Sequence, residues 1–245
     1  MKALIAGLIA GLVTGLGTLP LLFVKRIEKP VEDTLLGFAA GIMIFASSFN
    51  LILPALKEKS IIQVILGLIA GACIMAIVEV TIPHIHLDKL KIIDFKDKAM
   101  KKTMLLLLAI IIHSIPEGLA IGVGYSSNDP SIGLVMTIAI VVQNVPEGLV
   151  LCAPLLEKGY SKLKVIAFGF LAGIGEPIGA LLGVLVGSRL KNYMAFILSF
   201  AAGAMYYIVS HELIPQSHCN GNQMKATFGV IFGFIAMLII DYMVK

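Results

Sequence analysis

Eight apolar runs, each near twenty residues long, follow one another with little chain between them: about 3–24, 35–56, 61–82, 103–125, 131–156, 163–188, 193–214 and 226–244. Roughly 20 apolar residues in a helix cross the hydrocarbon core of a bilayer. Lipid offers no hydrogen bonds, so a lone segment can cross only as a helix that satisfies its own backbone. The expectation is an all-α integral membrane protein, with eight transmembrane helices in a tight bundle and one transmembrane unit over residues 1–245. Composition points the same way. The chain is 58% hydrophobic and 14% charged, which leaves too few polar side chains to clothe a water-soluble domain. The longest connection, 83–102, leaves no room for a second domain.

Lysine and arginine set the orientation, because basic residues gather in cytoplasmic connections. With the amino terminus outside, the inner connections hold Lys25, Arg26, Lys29, Lys89, Lys91, Lys96, Lys98, Lys101, Lys102, Lys158, Lys162, Lys164 and Lys225. The outer ones hold Lys2, Lys57, Lys59, Arg189, Lys191 and Lys245. Both termini are therefore expected outside a cell membrane (inner or plasma), with 83–102 as a cytosolic loop. The net charge of +4 is spread over these connections and builds no surface for nucleic acid. The first apolar run continues to about Val24 without a small-x-small cleavage site, so it reads as a retained span. Cys73, Cys152 and Cys219 form no CxxC and imply neither a disulfide framework nor a zinc finger. Glycines recur along the first run (Gly7, Gly11, Gly15, Gly17) and the sixth (Gly169, Gly173, Gly175, Gly179, Gly183), as in helices that approach closely in lipid.

Against this apolar background two stretches stand out, thirty positions apart: His113-Ser114-Ile115-Pro116-Glu117-Gly118 and Gln143-Asn144-Val145-Pro146-Glu147-Gly148. A carboxylate inside a spanning helix is costly and marks function by default. His113 and Glu117 are four apart and share a helix face, as do Gln143 and Glu147. Each proline removes one backbone hydrogen bond and frees a carbonyl, of Ile112 or Val142. The short connection between the two runs makes them antiparallel, so the motifs suggest a pseudo-two-fold axis in the membrane plane. No comparably clear repeat shows between the outer runs. On this relation His113 is expected opposite Gln143, and Ser114 opposite Asn144. A third carboxylate, Glu176, lies in run six and is likewise followed by proline. Three ionised carboxylates at one depth repel one another, and a bound cation or protons relieve this, which makes uptake sensitive to pH. Imidazole, carboxylate and amide donors suit zinc, iron, manganese or cobalt, and the lack of thiolate disfavours Cu(I).

At these residues the sequence resembles the ZIP (Zrt/Irt-like protein) family of divalent metal transporters, in its prokaryotic form. The likeness extends to Gly11-Leu12-Val13-Thr14-Gly15-Leu16-Gly17 in the first run, Gly37-Phe38-Ala39-Ala40-Gly41 in the second, Glu176-Pro177-Ile178-Gly179-Ala180 in the sixth and His211-Glu212-Leu213-Ile214-Pro215 in the seventh. It implies uptake of zinc, or of iron, manganese, cobalt or cadmium, into the cytosol, with the metal as substrate and no cofactor. It also implies a two-metal site on helices four, five and six. His113, Glu117, Gln143 and Glu147 would hold the first ion; Asn144 and Glu176, with Glu117 and Glu147 as bridges, the second. Ser114 stands where many members have Asn, and serine is the poorer ligand, so the second position is expected to be the weaker.

His84 and His86, in the long inner connection, are a weaker metal signal, and His211 and Glu212 read equally as an exit path or as interfacial residues. Glu79 is placed to pair with nearby histidines. The partners expected are divalent ions and the bilayer, and a homodimer is compatible with the sequence. Two alternatives share the buried His and Glu: an intramembrane metalloenzyme (a protease or lipid hydrolase) and a proton-coupled organic solute carrier. The first lacks an H-E-x-x-H or a nucleophile motif, since position 215 is proline. The second lacks aromatic and Arg contacts in runs four to six. A non-enzymatic transporter is the favoured reading.

Overall fold

A computed structural model describes residues 1–24, 26–58, 60–81, 98–129 and 131–244. Among these residues there is no β-strand, and the helices join into eight spans. They are α1 (Lys2–Leu22), α2 (Lys29–Lys57), α3 (Ile61–Thr81), α4 (Lys98–Ser126), α5 (Ser131–Glu157), α6 (Lys162–Arg189), α7 (Lys191–His218) and α8 (Gln223–Val244). Seven of them are long and apolar enough to cross a membrane by length and composition, and α4 adds a 29-residue helix.

Several helices outrun their apolar stretch. The second begins at Lys29 rather than near 35, with Pro30 in its first turn, where the missing N–H costs nothing. The fourth begins at Lys98 rather than 103. Hydropathy marks the part that sits in hydrocarbon, whereas backbone hydrogen bonding continues into the polar flanks.

The spans fall into two groups. In the first, α1 packs on α5 and α6, and α4 packs on α5 and α6. In the second, α2 packs on α8 and α3 on α7. The groups meet where α5 leans on α2 and α4 on α7. Phe45, Ile42, Met43, Met136, Ile140, Leu198 and Met205 fill the seam and are almost fully buried. Exposed Ile62, Ile65 and Leu66 on α3, and Phe228 and Phe232 on α8, coat the outside, as lipid requires.

The pseudo-symmetry reaches beyond the fourth and fifth helices. Exchanging α1 with α6, α2 with α7, α3 with α8 and α4 with α5 maps the set of main pairings onto itself. In the first three of these exchanged pairs the counterparts are 162 residues apart, the same separation as between Thr14 and Glu176: Gly11 with Gly173, Gly41 with Gly203, Gly67 with Gly229, and Gly71 with Gly233. Their surroundings match too. A side chain at Gly67 or Gly71 would strike the carbonyl of Phe196 or Phe200 on α7, and one at Gly229 or Gly233 that of Thr34 or Phe38 on α2. Successive spans alternate in direction, so the repeat is inverted. Its outer part went unseen in the sequence because it is carried by single glycines in otherwise interchangeable apolar residues.

The symmetric helices share their irregularities as well. A wide π turn occupies Ala46–Ile52 in α2, with Pro54 just beyond, and another occupies Val209–Leu213 in α7, with Pro215 just beyond. A proline cannot donate to the preceding turn, and a wide turn absorbs the defect. In α6 the irregularity becomes a break. Helix Lys162–Ala172 stops, Gly173 and Ile174 intervene, and helix Gly175–Arg189 resumes with Glu176 in its first turn.

Candidate metal site

The glycines of the two Pro-Glu-Gly stretches set the geometry. Gly118 of α4 lies against the backbone of Glu176, too close for any side chain. Its mate Gly148 of α5 lies as closely against the backbone of Thr14 on α1. Gly11 and Gly173 meet backbone to backbone where α1 crosses the break in α6. Four helices are thus drawn together around Glu117, Glu147 and Glu176. The prolines do not interrupt their helices: α4 runs through Pro116, and α5 through Pro146 and Pro154.

Inside this crossing the polar side chains are wired to one another. Gln143 Nε2 donates to Glu117 Oε1 at 2.6 Å. Asn144 Nδ2 donates to Glu176 Oε1 at 2.9 Å and to the carbonyl of Ala10 at 3.1 Å. Thr14 Oγ1 donates to the same Glu176 oxygen at 2.8 Å. Glu117, Gln143, Asn144 and Glu176 are all buried. Glu117 and Glu147 are close enough for their charges to interact, and so are Glu117 and Glu176, and Glu147 and Glu176. Glu176 gains from its place at the start of a helix segment, where the unpaired N–H groups favour negative charge.

What the wiring leaves out is as informative. Gln143 Oε1, Glu147 Oε2 and Glu176 Oε2 are buried oxygens without a hydrogen-bond partner in the protein. Buried acceptors without a donor are uncommon and costly. All three belong to residues of this cluster, and open acceptors of this kind suit a cation. Among the described residues, no three His, Cys, Asp or Glu side chains stand grouped closely enough to hold a metal ion by themselves. The set reaches a ligand count only with its amides.

The structure brings Glu117, Gln143, Asn144, Glu147 and Glu176 together, and pairs His113, at the edge of this set, with a residue the sequence did not link to it. His113 Nε2 lies 3.1 Å from Glu212 Oε2, in the wide turn of α7, although His113 is still near enough to Glu147 for their charges to interact. The wide turn shifts residues 209–213 around the axis of α7, and that presents Glu212 to α4. Ser114 is buried and packs on Gly175 at the break in α6. His211, the neighbour of Glu212, pairs with Glu79 of α3 at 2.8 Å, and Tyr207 donates to the other oxygen of Glu79. His84 and His86 lie outside the described residues. Thr14 was not among the expected site residues. A threonine in an apolar helix usually bonds the carbonyl four residues back, and Thr14 does lie 3.3 Å from that of Ala10. The signals in the sequence were its place in the Gly11–Gly17 stretch and its position 162 residues before Glu176.

Fold and site together define a polytopic helical membrane protein with a buried cluster of carboxylates and amides at an inverted-repeat axis. The family model described as ZIP Zinc transporter matches residues 88–241. "Zinc transporter ZIPB" of Bordetella bronchiseptica is 37% identical over 98% of this chain and 80% of its own. "Zinc transporter GufA" of Myxococcus xanthus is 34% identical over 97% of both chains. "Zinc transporter ZupT" of Streptococcus mutans is 32% identical over 91% of this chain and 90% of its own. The chain belongs to the ZIP family, and is a multi-pass membrane protein.

Proposed function

We propose that the protein takes up zinc, or a related divalent ion, into the cytosol through the cluster on α4, α5 and α6. The observation that carries this reading is the set of open buried oxygens on Gln143, Glu147 and Glu176, beside a Glu117 already held by Gln143. The names of the relatives agree with zinc, which accepts mixed nitrogen and oxygen ligands. Iron, manganese, cobalt and cadmium are competitors for the same donors.

The first ion is held by His113, Glu117, Gln143 and Glu147, with His113 leaving Glu212 to join the set. A second, weaker ion sits by Asn144 and Glu176, with Glu117 and Glu147 as bridges. Both termini face outside, so His113–Glu212 and then His211–Glu79 lie on the inward side, leading to His84 and His86. Alternating access follows from rocking the group α1, α4, α5 and α6, which carries the cluster, against α2, α3, α7 and α8. The whole chain is one transmembrane unit in a cell membrane, open to a homodimer, with the metal as cargo and neither a cofactor nor a catalytic reaction.

Zinc uptake into proteoliposomes tests this. The parent should load zinc, and Glu117→Ala and Glu147→Ala should each reduce uptake to the level of empty vesicles. Parent-like uptake by both variants would sink the assignment.

A further inference from the structure

Glu176 is held by an arrangement that separates its two oxygens. Oε1 receives two donors, Thr14 Oγ1 at 2.8 Å and Asn144 Nδ2 at 2.9 Å, and Oε2 receives none. Thr14 has one proton to give. The carboxylate takes it in preference to the Ala10 carbonyl, which is farther, at 3.3 Å, and uncharged. Asn144 spends both Nδ2 protons, one on the carboxylate and one on Ala10, so only its Oδ1 can meet a cation. Thr14 itself is 4% exposed and is locked in place by Gly148 against its backbone. It occupies on α1 the position that Glu176 occupies on α6, each beneath the glycine of a Pro-Glu-Gly stretch. The hydrogen bond between them therefore crosses the pseudo-two-fold axis.

Resting on the reading of the cluster as a zinc site, we infer that Thr14 is a selectivity-setting positioning residue: by saturating Glu176 Oε1 it confines Glu176 to one-oxygen ligation through Oε2. A carboxylate pinned in this way suits an ion content with few ligands at short distance. Zinc is such an ion, commonly four-coordinate. Manganese prefers six oxygens in octahedral array, and gains from a carboxylate free to turn and chelate with both. Thr14 therefore disfavours manganese without touching either metal.

The test compares zinc and manganese in the purified full-length protein for the parent, Thr14→Val, which keeps the shape and removes the donor, and Thr14→Ser, which keeps the donor. The readouts are uptake into proteoliposomes and equilibrium binding of each metal alone. A hydrogen bond to a charged group is worth about a factor of ten or more. Thr14→Val should raise the manganese-to-zinc ratio about tenfold in uptake and in the weaker of the binding steps, the one Glu176 serves, and Thr14→Ser should keep the parent ratio. If Val lowers the yield of folded protein, Thr14→Ala carries the same comparison. A ratio unchanged in Val or Ala, or a Ser variant that behaves as Val does, would overturn the inference. Binding separates it from the transport reading. A parent that binds but does not carry metal refutes transport, while a shifted binding ratio still upholds the role of Thr14. A parent that binds neither metal refutes both.

Discussion

Two fully buried carboxylates, one in each helix group, are treated in opposite ways. Asp33 of α2 has no exposed surface, and each of its oxygens is satisfied: Asn220 Nδ2 donates to Oδ1 at 2.7 Å and Asn222 Nδ2 to Oδ2 at 3.0 Å. Glu176 of α6 is equally buried and also has two donors, yet both go to one oxygen. The number of donors is the same, and their distribution differs. Asp33 is closed and ties α2 to the α7–α8 connection. Glu176 is left with an open oxygen, as are Gln143 and Glu147 of the same cluster. In the group α2, α3, α7 and α8 the buried Asp33 fastens two elements with both oxygens, whereas in the group α1, α4, α5 and α6 the buried Glu176 keeps one oxygen open.

Exchanging the charge for an amide should break this contrast most sharply. Glu176→Gln should cut zinc uptake about tenfold or more, the scale of one charge-assisted contact, while its amide carbonyl can keep both donors and the melting temperature in detergent stays near that of the parent. Asp33→Asn should do the reverse, lowering stability by about 1–3 kcal/mol as satisfied donors lose their charged acceptor, with uptake per folded molecule within about twofold of the parent by the same scale. If the two variants have the same profile, the distinction fails.

The inverted repeat offers a second comparison. Gly41 abuts Val230 of α8 and its mate Gly203 abuts Leu68 of α3. Gly41→Val and Gly203→Val should each cost about 1–3 kcal/mol from overpacking, read as matching losses in thermal stability. Strongly unequal losses would show that the repeat is one of shape rather than of energetics.

A smaller effect is expected at the seam between the groups. Glu212→Gln removes the carboxylate that His113 meets at 3.1 Å. The pair is partly exposed, so its worth is about 1 kcal/mol or less. Uptake should change by about fivefold at most on that scale, and binding of zinc by less. Loss of all binding would place Glu212 in the site itself. Acid should also lower zinc binding in the parent, because His113 and the carboxylates must shed protons to bind metal. Titration calorimetry from neutral to acid pH reads the sign, and tighter binding in acid would contradict it.

The fold was legible in the sequence wherever hydropathy decides the matter. Apolar runs without charge announce spans, and Pro-Glu-Gly inside them announces cost. The prolines did not announce how each helix would absorb them. Pro116 and Pro146 are carried without a break, Pro54 and Pro215 follow wide turns, and Pro177 sits in the first turn after the break in α6. These outcomes depend on neighbouring helices that local sequence does not contain. The cluster was half legible for the same reason. Glu117, Gln143 and Asn144 signal themselves by spacing along adjacent helices. The pairing of His113 with Glu212 joins residues 99 positions apart, through a π turn that Pro215 permits but does not by itself announce.

The proposed role of the open oxygens is to hold a cation. The direct measurement is zinc content by elemental analysis after equilibrium dialysis, for the parent and for the double variant Glu117→Ala with Glu147→Ala. The parent should retain at least one zinc ion per chain and the double variant close to none, with both eluting as folded protein. Equal zinc in the two would contradict the claim.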